Sequence, residues 1–390
     1  MMNYSAEDLN EEVTGILYFN TGLLSLYLFL GLSGNGIVLF IYTRRIKRTE
    51  ERYFIPVLAI ADIFAILSGV VLGIDSNFHR ANYVIDTFCK VGFYLTWTTS
   101  SVSGIIILLI ALNRHLMICR PTGPQLTVAR KRRAIVAVII FSILSSGPML
   151  YFIGKRQLPF VYKGQPINAT LCTLRFSSGF WYKLQMGYFA LEVFLTVLNM
   201  LLTCGFYIPV GVIIYRRFKS TKNRSKLTGD TQEMSTIQLS EVPSNLFKVQ
   251  QIDNSDVEDS AISTTMSTVG TSHKDIIPGT NKEVKRDERE SSVNRKKRVR
   301  RKQVKHNFTT MFATIIGFYI LAYLPTMMLM IIPGQNPAEF YFSKSPVAIN
   351  LLVFLQRAFL LNNICNAFIY TYFDLSFRKE VKKLLCLPCL

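Results

Sequence analysis

The chain has 390 residues, half of them hydrophobic and only 18% charged, with a net charge of +19. Soluble domains carry nearer a quarter charged residues, so a row of ordinary globular domains is a poor fit. The basic excess lies between long apolar runs, which makes it a topology signal and no argument for a nucleic-acid partner.

In chain order, residues 1–15 are acidic, with Glu7, Asp8, Glu11 and Glu12, and are expected to form a short tail. Seven apolar runs follow: Ile16–Tyr42, Tyr53–Ile74, Val91–Leu112, Ala134–Ile153, Val193–Tyr215, Phe308–Ile332 and Ser345–Tyr372. Each is near the roughly 20 residues that a helix needs to cross a bilayer. Five hold no charge, the second only Asp62 and the seventh only Arg357. Backbone groups in lipid must bond internally, so these runs predict helices.

No Lys or Arg precedes Arg44, whereas the first connection carries Arg44, Arg45, Lys47, Arg48 and Arg52. The third carries Arg120, Arg130, Lys131, Arg132 and Arg133. The positive-inside bias puts the N-terminus outside and the C-terminus in the cytoplasm. No basic n-region or small-residue cleavage site opens the chain, so the first helix is expected to be an uncleaved anchor. Five divisions follow: an outside tail over 1–15, five helices over 16–215, a cytoplasmic loop over 216–306, two helices over 307–373, and a membrane-surface helix with its tail over 374–390. The expected fold is an all-α membrane protein, a seven-helix bundle with a short amphipathic eighth helix.

The loop's middle is rich in Ser and Thr and holds Asp253, Asp256, Glu258 and Asp259. Such composition buries no core and predicts disorder; it suits a phosphorylation platform or a plain tether. The basic run at 295–302 abuts the sixth helix and reads as a stop-transfer, lipid-facing segment. Asp374–Leu385 places Phe377, Val381, Leu384 and Leu385 on one face and Arg378, Lys379, Lys382 and Lys383 on the other, a pattern that lies on a membrane surface. Cys386 and Cys389 follow, placed for palmitoylation or left as cytosolic thiols. Asn3 and Asn168 open outside glycosylation sequons. Of seven cysteines, Cys89 and Cys172 alone fall outside, and a disulfide between them would tie the loop before the fifth helix over the bundle's mouth. Four scattered histidines show no zinc spacing.

Several motifs then fall in order. Gly34-Asn35 lies in the first helix and Leu58-Ala-Ile-Ala-Asp62 in the second. Asn113-Arg114-His115 closes the third, 24 residues after Cys89, with Pro121 beyond. Ala322-Tyr323-Leu324-Pro325 marks the sixth and Asn366-Ala-Phe-Ile-Tyr370 the seventh. The pattern resembles the rhodopsin-like family of G-protein-coupled receptors over nearly the whole chain outside the long loop and tails, and is most similar to neuropeptide receptors.

That resemblance implies a plasma-membrane receptor that binds an extracellular peptide or small-molecule ligand and activates a heterotrimeric G protein, with arrestin and receptor kinases meeting the cytoplasmic loop and lipids around the bundle. Asn113, Arg114, His115, Tyr323, Pro325, Asn366 and Tyr370 would form the switch, Arg114 sealing the cytoplasmic mouth at rest and contacting the G protein when the sixth helix swings out. Asp62 with Asn35, Ser103, Asn362, Asn363 and Asn366 resembles a pocket for a sodium ion, the one cofactor implied; oxygen donors around a carboxylate suit a small hard cation. The alternative is a protonated or water-bonded Asp62.

Departures from the family pattern matter. Asn113 replaces the acid beside the arginine, and Lys305 stands where an acid on the sixth helix would clasp it, so a loosely held resting state is expected. Ala367 replaces proline, predicting a weaker kink in the seventh helix. Tyr323 replaces tryptophan, the fourth helix has no tryptophan, and of Pro209 and Tyr215 only one can align. Thr96 and Leu360 stand where an amine receptor needs Asp and an opsin needs Lys, so biogenic amines and retinal are excluded.

The ligand pocket is expected to gather Asp75, Thr96, Ser100, Glu192, Asn199, Tyr323, Gln356 and Arg357. Arg357 would meet a ligand carboxylate or pair internally with Glu192 or another acid. The competing class is a seven-helix transporter or channel, but repeated halves with matching broken helices are not evident. No nucleophile–base or metal constellation supports an enzyme.

Overall fold

A computed structural model describes residues 4–47, 49–237, 309–329 and 337–385. Lys305, Asn3, Cys386, Cys389 and most of the expected cytoplasmic loop lie outside them. The chain forms two units, residues 1–215 with 304–390, and residues 216–303. In the second unit the described feature is the continuation of one helix to Ile237.

The first helix, α1 (Ala6–Phe40), starts ten residues before the expected span. Ser5 and Asp8 form a capping box: the Ser5 hydroxyl accepts from the Asp8 amide, and the Asp8 carboxylate accepts from the Ser5 amide. The acidic stretch read as a tail is therefore the first turns of a helix, its negative charge set against the positive end of the macrodipole. A single wider turn, Ile41–Arg45, closes it.

Next come α2 (Phe54–Phe78), α3 (Asp86–Cys119), α4 (Val128–Ser146) and the one-turn α5 (Met149–Phe152). Strands β1 (Ile153–Tyr162) and β2 (Gln165–Leu174) pair antiparallel across a two-residue turn. Lys163 and Gly164 both have positive φ, 49° and 81°, the geometry that matches the twist of a hairpin. The all-α expectation missed this element. Its signal was present in Lys163-Gly164, set between runs rich in Phe, Val, Tyr, Ile and Thr.

Helix α6 spans Gly179–Ile237, far beyond the expected Tyr215 end, so the helix invades the segment read as loop. Then follow α7 (Thr309–Leu329), α8 (Pro337–Phe342), α9 (Pro346–Gln356), α10 (Phe359–Phe373) and α11 (Leu375–Leu385). Among the described residues six helices are long and apolar enough to cross a membrane, and α9 with α10, bent by 63°, passes the same test as a pair. Around them, Phe19, Phe29, Leu144, Leu201 and Leu321 point outward. Such exposure would destabilise a water-soluble protein but suits lipid.

The bend corrects an expectation. Helix α10 runs unbroken through Ala367, and the break lies ten residues earlier, at Arg357 and Ala358. There the amides of Arg357 and Ala358 bond three residues back, to Phe354 and Leu355, which tightens the turn. The Thr326 hydroxyl on α7 also donates to the Leu355 carbonyl. Hydroxyls of this kind re-satisfy a helix broken at membrane depth.

Two clusters order the bundle's ends. At the hairpin end, Leu9, Val13 and Leu17 of α1 pack with Leu158, Tyr162, Ile167 and Leu171 of the hairpin and Ile349 and Val353 of α9. At the opposite end, Ile55, Leu58, Ile110, Phe312, Tyr319, Tyr370 and Phe377 share a larger core. The Phe377 ring stacks on Tyr42 at 5.3 Å, which docks α11 against α1.

Candidate functional site

Asp62 is fully buried at the centre of the first unit. Ser103 donates to one carboxylate oxygen and Asn366 to the other, both at 2.7 Å. Asn35 lies behind them, its amide bonded to the main chain of Asn363 at 2.8 Å. The Asn363 amide oxygen accepts from Asn362, and from Ser103 at 3.4 Å. All six residues expected at the pocket are thus brought together, although only Ser103 and Asn366 touch the carboxylate. The amide oxygens of Asn35, Asn362 and Asn366 and the Tyr370 hydroxyl are buried without hydrogen-bond partners among the described residues. Unpaired oxygens near a carboxylate are costly in a protein interior, and oxygen donors are the ligand type that hard cations take.

At the far end of α3, Arg114 is 3% exposed and its guanidinium lies 4.6 Å from the centre of the Phe312 ring on α7. Asn113 donates to the thioether of Met117 at 3.5 Å. His115 meets the carbonyl of Phe206 at 3.2 Å and ties α3 to α6. Tyr207, on the same stretch of α6, donates to the carbonyl of Thr309 at the start of α7. It is buried, whereas Tyr215 is 69% exposed. The Tyr370 ring packs edge-on against Tyr42 and Phe377.

The predicted ligand residues fall into two groups. In the first, Glu192 accepts from the indole of Trp97 at 2.9 Å, and Tyr323 donates to the carbonyl of Ser100 at 3.3 Å. Tyr323 also packs on Tyr319, whose hydroxyl accepts from Asn199 at 2.7 Å. These contacts lace α3, α6 and α7, and the hydroxyls of Thr96 and Ser100 stay buried without partners among the described residues. Pro325 falls inside α7, two residues past Tyr323.

The second group is Asp75, Gln356 and Arg357. Asp75 accepts from Tyr83 and lies 3.1 Å from His79. Arg357 donates to the side chain of Asn77 at 2.8 Å and to the carbonyl of Gly73 at 3.0 Å. The internal pair with Glu192 does not form, because that acid is held by Trp97 on another helix. Sequence reasoning missed Asn77 and Gly73, neutral partners 280 and 284 residues away that no charge pattern marks. It also missed Tyr319, which hid among core aromatics.

Disulfide Cys89–Cys172 joins α3 to β2 across 83 residues. The hairpin is further held by reciprocal main-chain bonds between Thr170 and Ala81 and Tyr83. Lys163 at its turn meets Tyr162 and Glu12, contacts that hold its ammonium above the usual lysine range. A cleft of about 640 Å³ opens beside it, lined by Leu9, Val13, Phe160, Tyr162, Lys163 and Phe342 among others. None of the eight predicted ligand residues lines that cleft.

Known proteins resemble this chain. Over 145 residues the chain is 27% identical to the human motilin receptor, covering 36% of this chain and 35% of that one. It is 32% identical over 141 residues to the sheep oxytocin receptor, 35% of each chain. It is 26% identical over 226 residues to the Drosophila melanogaster RYamide receptor, 55% of this chain and 45% of that one. The matched stretches thus span less than half of those relatives' own length. Squid rhodopsin shares the fold, with a TM-score of 0.58 at 16% identity over 95% of this chain and 86% of its own. The profile of the seven-transmembrane receptors of the rhodopsin family matches residues 34–371, and the chain belongs to that family.

Proposed function

We propose that this receptor sits in the plasma membrane with its N-terminus outside, binds an extracellular peptide, and catalyses nucleotide exchange on a heterotrimeric G protein. Family membership supports the receptor role over the transporter or channel. The observation that carries the switching mechanism is the buried set around Asp62, joined to Asn366 on the helix that bends at Arg357. Asp62 and Ser103, with the free amide oxygens of Asn35, Asn362 and Asn366, would hold a sodium ion. A bound sodium would supply the positive charge that keeps this set closed. Peptides are favoured because the motilin, oxytocin and RYamide receptors are named for them. Asn168 is exposed on β2 and available for glycosylation. Arrestin, receptor kinases and inner-leaflet lipids would meet the segments beyond Arg216, and palmitates would sit on Cys386 and Cys389.

The test is a screen of secreted peptides against cells coexpressing the receptor with several G-protein classes. At least one peptide is expected to raise guanine-nucleotide exchange. Peptide-driven solute flux without exchange would overturn the reading.

A second expectation concerns Asn113. It is neutral and bonded to a thioether, so nothing it contributes holds Arg114 by charge. Asn113→Asp places a carboxylate beside the buried guanidinium, and a coupling of 1–2 kcal/mol corresponds to about a fivefold fall or more in ligand-free exchange. Equal and low ligand-free exchange in both proteins would show that the resting state is already tight.

A further inference from the structure

Arg357 is 8% exposed, and neither of its hydrogen-bond acceptors carries charge. A guanidinium offers five N–H donors, so two are engaged and three are left to be met. No carboxylate lies within salt-bridge distance of it among the described residues. Asp75, the acid nearest in sequence to its partners, is taken by Tyr83 and His79.

A second cation makes the site more expensive. Arg80 stands just past the end of α2, three residues after Asn77, the side chain that Arg357 bonds. Its guanidinium sits 4.7 Å from the ring centre of Tyr341 on α8. It donates to the hydroxyl of Ser76 at 3.2 Å, and among the described residues no carboxylate lies within salt-bridge distance of it. The Tyr341 hydroxyl completes the set: its residue is 5% exposed and Arg80 is the cation beside it. Like charges at short range repel, and a buried cation without a counter-ion is costly. Arg80 is only half-buried and gives the site an opening.

We infer that Arg357, Arg80 and the Tyr341 hydroxyl form a subsite for a carboxylate of the peptide ligand, its free C-terminus or an acidic side chain. A carboxylate accepts two parallel N–H bonds from a guanidinium and a third bond from a hydroxyl, and it supplies the missing negative charge. It would compete with Asn77 and the Gly73 carbonyl for Arg357, the residue at which the α9–α10 span bends. Occupancy therefore acts on the bend directly.

The subsite rests on the peptide-receptor reading, but its test needs no G protein. Thermal unfolding of the purified full-length receptor is followed at constant ionic strength with two matched pairs at millimolar concentration. N-acetyl-phenylalanine and its amide stand for a chain terminus; N-acetyl-glutamic acid α-amide and its glutamine counterpart stand for a side chain. At least one acid is expected to raise the midpoint by about 2 °C where its amide does not, and the acid that does so identifies the source of the carboxylate. Arg357→Gln and Arg80→Gln should abolish that difference. Arg80→Gln carries the test if the more buried variant fails to fold. Acids no better than their amides, or an acid-specific shift kept in Arg80→Gln, would overturn the subsite while leaving peptide-driven exchange intact. Absence of exchange with every peptide would instead overturn the receptor reading.

Discussion

Replacing Cys172 with alanine will lower the melting midpoint of the purified protein by about 6–12 °C. The bond to Cys89 closes a loop of 83 residues. For a free chain the loss of that closure entropy is worth about 4–5 kcal/mol. A bilayer or micelle reduces it, because α3 and α4 remain inserted and already hold the loop's ends near one plane. About 3 kcal/mol is then the fair expectation, and at about 2–4 °C per kcal/mol it gives the stated shift. The opposing effect is the hairpin's non-covalent anchorage. Thr170 exchanges two main-chain bonds with Ala81 and Tyr83, and Asp86 accepts from the Lys155 amide. Each contributes about 1 kcal/mol, too little together with loop ordering to replace the covalent tie. Reductant added to the unaltered protein should bring its midpoint to that of the variant. A shift under 1 °C in both would mean that strand pairing alone holds the hairpin.

The spans were legible because lipid imposes one rule along a whole helix, and a run such as 91–112 obeys it at every position. Their ends follow local chemistry. The start of α1 was written in Ser5 and Asp8, a signal that the acidic composition of the first dozen residues masked. The hairpin was written in Lys163-Gly164, but the seven-helix expectation left the segment as a loop. The bend at Arg357 had no local signal: neither Gly nor Pro stands there, and the tight turn is held by Thr326 on another helix. A carboxylate in an apolar run demands polar company, and in agreement with that demand the grouping around Asp62 was legible through the family resemblance, whose matching positions named Ser103 and the asparagines. The partners of Arg357 were not, because an amide and a main-chain carbonyl carry no charge for a sequence reader to match.

Removing the Asp62 carboxylate will have the largest effect on switching. Asp62→Leu strips Ser103 of its 2.7 Å acceptor and leaves it only the 3.4 Å contact to Asn363. Asn366 fares worse, since its oxygen already lacks a partner and its amide would lose the only hydrogen bond it makes among the described residues. Each stranded polar group costs about 1–3 kcal/mol. Against that stands relief from burying a carboxylate, which is why stability alone does not report the role of Asp62. Asp62→Asn separates the two effects: it keeps the shape and an acceptor for Ser103 but removes the charge that would hold a cation. The unaltered protein should melt about 2–4 °C higher in sodium chloride than in an equal concentration of N-methylglucamine chloride. That difference should vanish in Asp62→Asn, whose midpoint without sodium is otherwise similar. Peptide-stimulated exchange should fall at least about tenfold in Asp62→Leu, the factor that 1.4 kcal/mol imposes on a two-state equilibrium. Equal midpoints in the two salts for the unaltered protein would remove the ion from the account. Undiminished exchange in Asp62→Leu would remove Asp62 from the switch.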